Sequence, residues 1–376
     1  ADVDQSAPQF ASFPPSGVGR VSTKHQQPSQ HQRKGGMQIT RERAALEQLN
    51  QHRTTDAIIK RACNRDIAVE DLEIIVVDDG STDATPQTLK SWDDPRLRVV
   101  SIDHVGLLPA LNTGIAACTG RFIARMDADD RSHPARLQKQ VELASRDDRV
   151  GVVGTCVRSF PAGEVAEGFR IYEEWQNGLV EHDDIVREIF IESPIAHPSA
   201  LMRRQELIDM GGYIENGWPE DYDLWLRYHA AGRLFAKVPE VMLDWREHGE
   251  RATRTDSRYS VENFLRAKAH YLISGPLKER DGLIVWGAGK TGRRLSKHLI
   301  RGDRRPDLFV DIAPDKMGGT LRHVEIIGVE SLQEAWTQWR RPILLAAVAS
   351  RGARQLIRQR LNQWGWREGV EYLCVA

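Results

Sequence analysis

The chain has 376 residues, enough for two domains with full cores when length is used as a soft prior. Lys and Arg (52) almost balance Asp and Glu (53), so no global field attracts nucleic acid or an anionic membrane, which argues against a generic nucleic-acid binder. Cys63, Cys118, Cys156 and Cys374 show no CxxC spacing, which argues against a zinc site or disulfide framework and fits a reducing cytoplasm. The longest strongly apolar run, Ile343 to Ala349, is far too short to span a bilayer, and no charged-then-apolar leader opens the chain. A cytoplasmic protein is expected, with attachment at the periphery of the inner membrane face left open.

Residues 1–36 are rich in Ser, Gln, Pro, Gly and His. Such a leader cannot bury enough apolar surface to offset its ordering entropy, so disorder is expected. Residues 37–70 read as an irregular or helical segment, with an amphipathic helix over 40–63 anchored by Leu46, Leu49, Ile58 and Ile59. From Leu72 the pattern changes. "LEIIVV" predicts a buried strand running into "DDGSTD", and "RLRVVSI" (Arg96 to Ile102) a second one. "GLLPALNTGIAAC" predicts a helix, and "RFIARM" a third strand that runs into Asp127, Asp129 and Asp130. Ser132 is the expected N-cap of the next helix, with Pro134 in its first turn. A helix start at "PEDYDLW" and a helix over Val261 to Ile273 complete a unit spanning 71–275. Strands alternating with helices predict an α/β fold with a mainly parallel sheet. Ligands of such sheets sit beyond the carboxyl ends of the strands, where "DDGS" and "DADD" both fall.

Carboxylates as close as Asp127, Asp129 and Asp130 repel one another and raise each other's pKa. An Asp-x-Asp pair at a strand end resolves the conflict by sharing a divalent cation. Hard oxygen ligands suit Mg2+ or Mn2+, whose open positions commonly take phosphate oxygens. Asp127 and Asp129 are therefore candidates to hold a metal that neutralises a diphosphate. A solvated acidic turn, with Asp130 capping the following helix, accounts for the same letters, so the bare motif decides nothing.

The run "EIIVVDDGSTD…GLLPALNTGIAACTGRFIARMDADD" resembles the family 2 glycosyltransferases, which have the GT-A type nucleotide-sugar fold. The resemblance continues through "HPSALMRR" (His197 to Arg204), "GGY" (Gly211 to Tyr213), "EDYDLWLR" (Glu220 to Arg227) and "WREH" (Trp245 to His248), covering roughly residues 71 to 250. It implies that Asp79 binds the nucleotide base, that Asp127 lies on the ribose or metal side, and that Asp129 is the main metal ligand. Asp221 matches the general base of inverting members. Arg125 is placed to face the phosphates or donor sugar, or to form a plain salt bridge. His197, Ser199 and Glu220 lie where acceptor or donor contacts are expected, and His248 is a candidate third metal ligand or diphosphate contact. Each has a plain structural alternative: an Asx-type turn for Asp78 and Asp79, helix-end acids for Glu220, Asp221 and above all Asp223, core packing for Trp225. Members of the family normally open with an apolar strand such as "SVIIPVYN" about 35 residues before "DDGS". Residues 37–45, "MQITRERAA", contain no such run, which leads to the expectation that the leader is foreign to the fold.

After "SGP" a second unit, 281–376, opens with "GLIVWGAGKTG": a strand, then Gly287, Gly289 and Gly292, then a helix, with Asp311 at the end of a following strand. This is the Rossmann arrangement, in which glycines permit the tight turn, a helix N-terminus faces phosphate and an acid reaches a ribose. Close helix–strand packing explains the glycines equally well. Ile284 stands where a Walker A loop would need its first glycine.

The expected function is metal-dependent (Mn2+ or Mg2+) transfer of a sugar from a nucleoside-diphosphate sugar, UDP-sugar favoured, to a glycan, lipid-linked or protein acceptor in cell-surface glycan synthesis. One rival is an inactive or truncated relative whose C-terminal unit binds a nucleotide. A nucleotidyltransferase is the other, weakened by the lack of a Gly- and Lys-rich phosphate loop near the start.

Overall fold

The computed structural model describes residues 72–249 and 251–376. The expected leader at 1–36, the segment 37–70 and its helix over 40–63 lie outside the described residues. The first strand, β1 (Ile74–Asp79), is followed by α1 (Thr85–Lys90), β2 (Leu97–Ile102) and α2 (Leu107–Ala117). β1 and β2 pair in parallel, with Ile74 opposite Leu97 and Asp79 opposite Ile102. Leu108 and Ile115 are the buried residues of α2, which packs on β1.

Five strands make the second sheet: β3 (Phe122–Ala124), β4 (Arg131–Ser132), β5 (Val150–Phe160), β6 (Leu201–Arg203) and β7 (Leu234–Arg246), in the order β3-β6-β5-β7-β4. Between β4 and β5 runs α3 (Arg136–Ser145). Between β5 and β6 come α4 (Glu167–Asn177) and α5 (His182–Glu188), and between β6 and β7 α6 (Arg204–Asp209) and α7 (Glu220–Ala230). The long strands β5 and β7 are parallel, whereas β3–β6, β5–β6 and β4–β7 are antiparallel, so this sheet is mixed. Ser132 does not cap α3. It lies in β4 opposite Leu243, the His133 N–H donates to the Met242 carbonyl at 2.8 Å, and the helix begins only at Arg136. Pairing with β7 captures the backbone that a cap would need.

After β7, α8 (Val261–Ser274) leads into the third sheet: β8 (Gly282–Trp286), α9 (Lys290–Arg301), β9 (Leu308–Val310), β10 (Thr320–Leu321), β11 (Val324–Ile327), α10 (Leu332–Trp336), β12 (Pro342–Ala346), α11 (Ala353–Gln363) and β13 (Tyr372–Cys374). Its order is β10-β11-β9-β8-β12-β13. Apart from the β10–β11 hairpin all pairs are parallel, the doubly wound arrangement with β8 at its centre. "GLIVW" and "PILLA" are buried at every position, as strands covered on both faces must be.

The break at Ser274–Pro276 separates sheets but not cores. Trp225, Ile189 and Leu265 belong to one apolar cluster with Leu283, Leu299, Ile343 and Val375. Ions lock the same seam: Glu188 takes Arg354 at 3.0 Å and Arg358 at 2.5 Å, and the buried Lys268 Nζ donates to the carbonyls of Ile191 (2.5 Å) and Val375 (3.2 Å). Among the described residues no helix is long and apolar enough to cross a membrane.

Candidate functional site

At the end of β1 the buried Asp78 accepts the Ser81 N–H at 3.0 Å, closing a turn in which Gly80 has φ +72°. A Cβ there would stand 2.7 Å from the His104 nitrogen, so the close approach of the two loops requires glycine. Asp79 bridges to that second loop. Its oxygens accept the N–H groups of Val105 (2.8 Å) and Gly106 (3.0 Å), and His104 Nδ1 lies 2.9 Å from Oδ2. The Val105 N–H above all holds the Asp79 carboxyl below the usual carboxylate range. A base would share oxygens that already tie β1 to the loop after β2.

Beyond β3 the Arg125 N–H donates to the Ala200 carbonyl, and the side chain turns inward, only 10% exposed, with Nη1 2.5 Å from Asp127 Oδ1. Burial opposes the charge on Arg125, but the Asp127 carboxylate outweighs it and the pKa stands above the ordinary value. Asp129 sits on the rim, with Oδ2 3.1 Å from His248 Nε2, and its carbonyl accepts Arg246 Nε at 2.9 Å. Asp130 is buried and does not cap a helix. Its Oδ1 accepts the Arg246 N–H at 2.7 Å, Oδ2 has no partner, and burial followed by the Asp127 charge pushes the carboxyl up to about 8. Behind them the buried Arg136 donates to the carbonyls of Pro198 (2.8 Å) and Arg125 (3.1 Å), and burial brings it down to about 10.

Glu220 and Asp221 open α7, where acids favour the helix dipole, yet the two differ in surroundings. Glu220 is 2% exposed, accepts the Tyr259 hydroxyl at 2.8 Å, and has Arg258 Nη1 at 3.7 Å and His197 Nδ1 at 3.8 Å. Burial raises its pKa. Asp221 is half-buried, with the Ser193 hydroxyl 3.5 Å from Oδ2; burial and then the Glu220 charge push it up to about 7. His197 Nε2 lies 2.6 Å from the Tyr213 hydroxyl, and burial, then Arg125, keep its pKa well below the ordinary value. Ser199 has no exposed surface: its hydroxyl donates to the Ala196 carbonyl at 2.8 Å and closes a tight turn. Asp223 is fully buried and accepts from Trp218, Tyr271 and Arg227, a packing role like that of Trp225.

Arg125 pairs with Asp127, and its charge reaches Asp221, Glu220 and His197 as a smaller contribution than burial, so one buried guanidinium lies within electrostatic range of both "DADD" and the start of α7. Tyr213 is legible only as the last letter of "GGY", and Tyr259 and Arg136 carry no signal in the sequence at all. Their partners lie 16, 39 and 62 residues away, and no local pattern carries such a contact.

Among the described residues no three His, Cys, Asp or Glu side chains form a ready cation cage. The donors nevertheless suit a hard cation that takes most of its ligands from a bound diphosphate. Asp129 and His248 face each other on the rim, their side chains 30% and 38% exposed, and Asp127 is 39% exposed beside Arg125.

In the third sheet Gly287 has φ +117°, and a Cβ on Gly292 would stand 1.8 Å from the Gly287 carbonyl oxygen. Gly289 has open space around it. Asp311 turns back into this loop: Oδ2 accepts the Ala288 N–H (2.8 Å) and pairs with Lys316 (3.0 Å), while Oδ1 accepts the Ala313 N–H (3.0 Å). Burial works upward on its pKa, but these donors more than offset it and the carboxyl lies below the usual range. The acid expected at a ribose is engaged by its own loop.

A family model described as glycosyl transferase family 2 matches residues 49–211. A glycosyltransferase of Haemophilus influenzae is 30% identical over 207 residues, 53% of this chain and 62% of the relative. The amylovoran biosynthesis glycosyltransferase AmsE of Erwinia amylovora is 29% identical over 174 residues, 46% and 63%. EpsE of Bacillus subtilis is 30% identical over 198 residues, 51% and 68%. The chain thus spans less than two-thirds of the first two relatives. It belongs to glycosyl transferase family 2 and has that family's GT-A type α/β fold.

Proposed function

We propose that this family 2 chain transfers a sugar, with inversion, from a nucleoside-diphosphate sugar, UDP-sugar favoured, to a hydroxyl of a glycan, lipid-linked or protein acceptor during cell-surface glycan synthesis. The observation that carries the reading is Asp221. It is half-buried, with its carboxyl near neutrality, and it feels the charge of Arg125, the guanidinium that pairs with Asp127 of "DADD". A base must be unprotonated yet basic enough to take a proton at working pH, and a carboxyl at about 7 meets both demands.

In this reading Asp221 takes the acceptor hydroxyl proton as that oxygen bonds to the anomeric carbon. The bond from that carbon to the diphosphate breaks, and its electron pair leaves with the phosphate oxygen. Ser193 and Glu220 orient and tune the base. Asp129, with Asp127 and His248, would hold Mn2+ or Mg2+, which supplies positive charge to the departing diphosphate. Arg125 holds Asp127 in place, and Asp79 fixes the loop against which the base would lie. The name of AmsE ties that relative to amylovoran biosynthesis, which favours a glycan product here.

Calorimetric titration of UDP with and without Mn2+, on wild type and Asp129→Ala, tests the donor site. Mn2+-dependent binding lost in the variant is expected. Absence of binding by a wild type shown to be folded by circular dichroism would overturn the reading.

A further inference from the structure

Directly after the carboxylates, two arginines share one ring. Arg131 Cζ lies 4.2 Å and Arg246 Cζ 4.5 Å from the centre of the Phe160 ring. Sheet register explains the meeting, since Phe160 in β5 stands opposite Arg246 in β7, and Arg131 in β4 stands opposite Asp244 of the same strand.

Neither cation has a carboxylate partner among the described residues. Asp244, the nearest acid by register, is taken by Arg158 at 2.7 Å. Arg246 spends its backbone N–H and Nε on Asp130 and on the Asp129 carbonyl, and among the described residues neither Nη group has an acceptor. Among the described residues the Arg131 side chain donates to nothing, and its Nε is a buried nitrogen without a partner. All three side chains are half-buried. Two like charges held against one ring and stripped of counterions repel each other. A ring face orients a guanidinium without consuming its hydrogen-bond donors, so both forks stay available for a planar or tetrahedral oxyanion.

We propose that Arg131 and Arg246, aligned by Phe160, form a phosphoryl-binding clamp beside Asp129. The clamp deepens the donor reading above and rests on it for location, since its anion would lie next to the metal candidates. Two sources share this chemistry: the diphosphate of the donor, or a phosphate carried by the acceptor. Asp130 turns one oxygen to the Arg246 backbone and fixes the strand end that presents the clamp.

The test is titration of wild type, Arg131→Gln, Arg246→Gln and Arg131→Lys with uridine, UDP, inorganic pyrophosphate and, at saturating UDP and Mn2+, inorganic phosphate. Circular dichroism confirms folding in each. For a donor clamp each Gln variant loses about tenfold in affinity for UDP and pyrophosphate but none for uridine, and Arg131→Lys recovers part of the loss. An acceptor clamp leaves UDP unchanged and abolishes phosphate binding to the UDP-saturated protein. Gln variants that bind every probe like wild type overturn the clamp. If wild type binds neither uridine nor UDP, the donor reading fails. Arginine-dependent pyrophosphate binding would then support the clamp by itself, and no pyrophosphate binding would overturn it too.

Discussion

Two strand ends in this chain carry acids that read alike in sequence and behave oppositely in the fold. Asp311, after β9, is 8% exposed in its side chain and takes donors from Ala288, Ala313 and Lys316. Asp127 and Asp129, beyond β3, are 39% and 30% exposed, and among the described residues their side chains pair only with Arg125 and His248. The sheets around them differ in the same sense. β8 and β12 are covered on both faces and paired on both edges, whereas β1 pairs only with β2 among the described residues and its apolar run stays half-buried. The difference teaches that an acid at a strand end stays open to a ligand only where neighbouring donors leave it free. Where nearby N–H groups saturate the carboxylate, it holds a loop together instead.

The sharpest break of that comparison is Asp221→Asn. Turnover should fall at least about a thousandfold while Mn2+-dependent UDP binding stays intact, measured by product formation and calorimetry side by side. Next comes Gly292→Ala. Its Cβ would strike the Gly287 carbonyl, so the third sheet should lose about 3 kcal/mol or more by chemical denaturation, with or without UDP. Asp129→Ala should weaken UDP binding in Mn2+ by about thirtyfold and leave the melting temperature nearly unchanged, because the acid is on the rim. Asp311→Asn should do the reverse, lowering stability by about 1–2 kcal/mol without touching UDP affinity. An Asp311→Asn protein as stable as wild type would erase the contrast between the two acids.

The smallest effect is a pH dependence with two signs. Turnover should drop about tenfold per unit as pH falls below about 7, where Asp221 protonates. Stability should move the other way. The Asp221 carboxyl is 3.8 when unperturbed and about 7 in the fold, so the folded state holds more protons between those values and stability declines as pH rises through that window. Asp221→Asn should remove its share of this decline, visible as a smaller difference between melting temperatures at pH 4 and pH 8.

The strands at Ile74–Asp79, Leu97–Ile102 and Gly282–Trp286, and the helices opening at Leu107, Glu220 and Val261, were legible because each carries its own apolar pattern within a few residues. So were the glycine turn at Gly287 and the acids of "DADD", which are local spellings. Ser132 was misread because the competitor for its backbone, β7, lies more than 100 residues away in sequence. Ser199 reads like a contact residue and is closed in by its own turn. The mixed pairing of the second sheet was also out of reach, since strand direction depends on how long connections pack rather than on the strands themselves.

By itself the sequence determined the strands and helices that carry their own apolar pattern, the glycine turn at Gly287 and which acids crowd a strand end, for these follow from short-range sterics and charge. Only the tertiary structure decided which carboxylates stay free. That outcome depends on where Arg125, Arg246 and the Ala288 N–H come to rest, and those positions are fixed by packing across sheets. Asp221 near neutrality, Asp311 held by donors from two loops, and two arginines facing one phenylalanine with no paired carboxylate among the described residues are all products of burial, which no stretch of letters records.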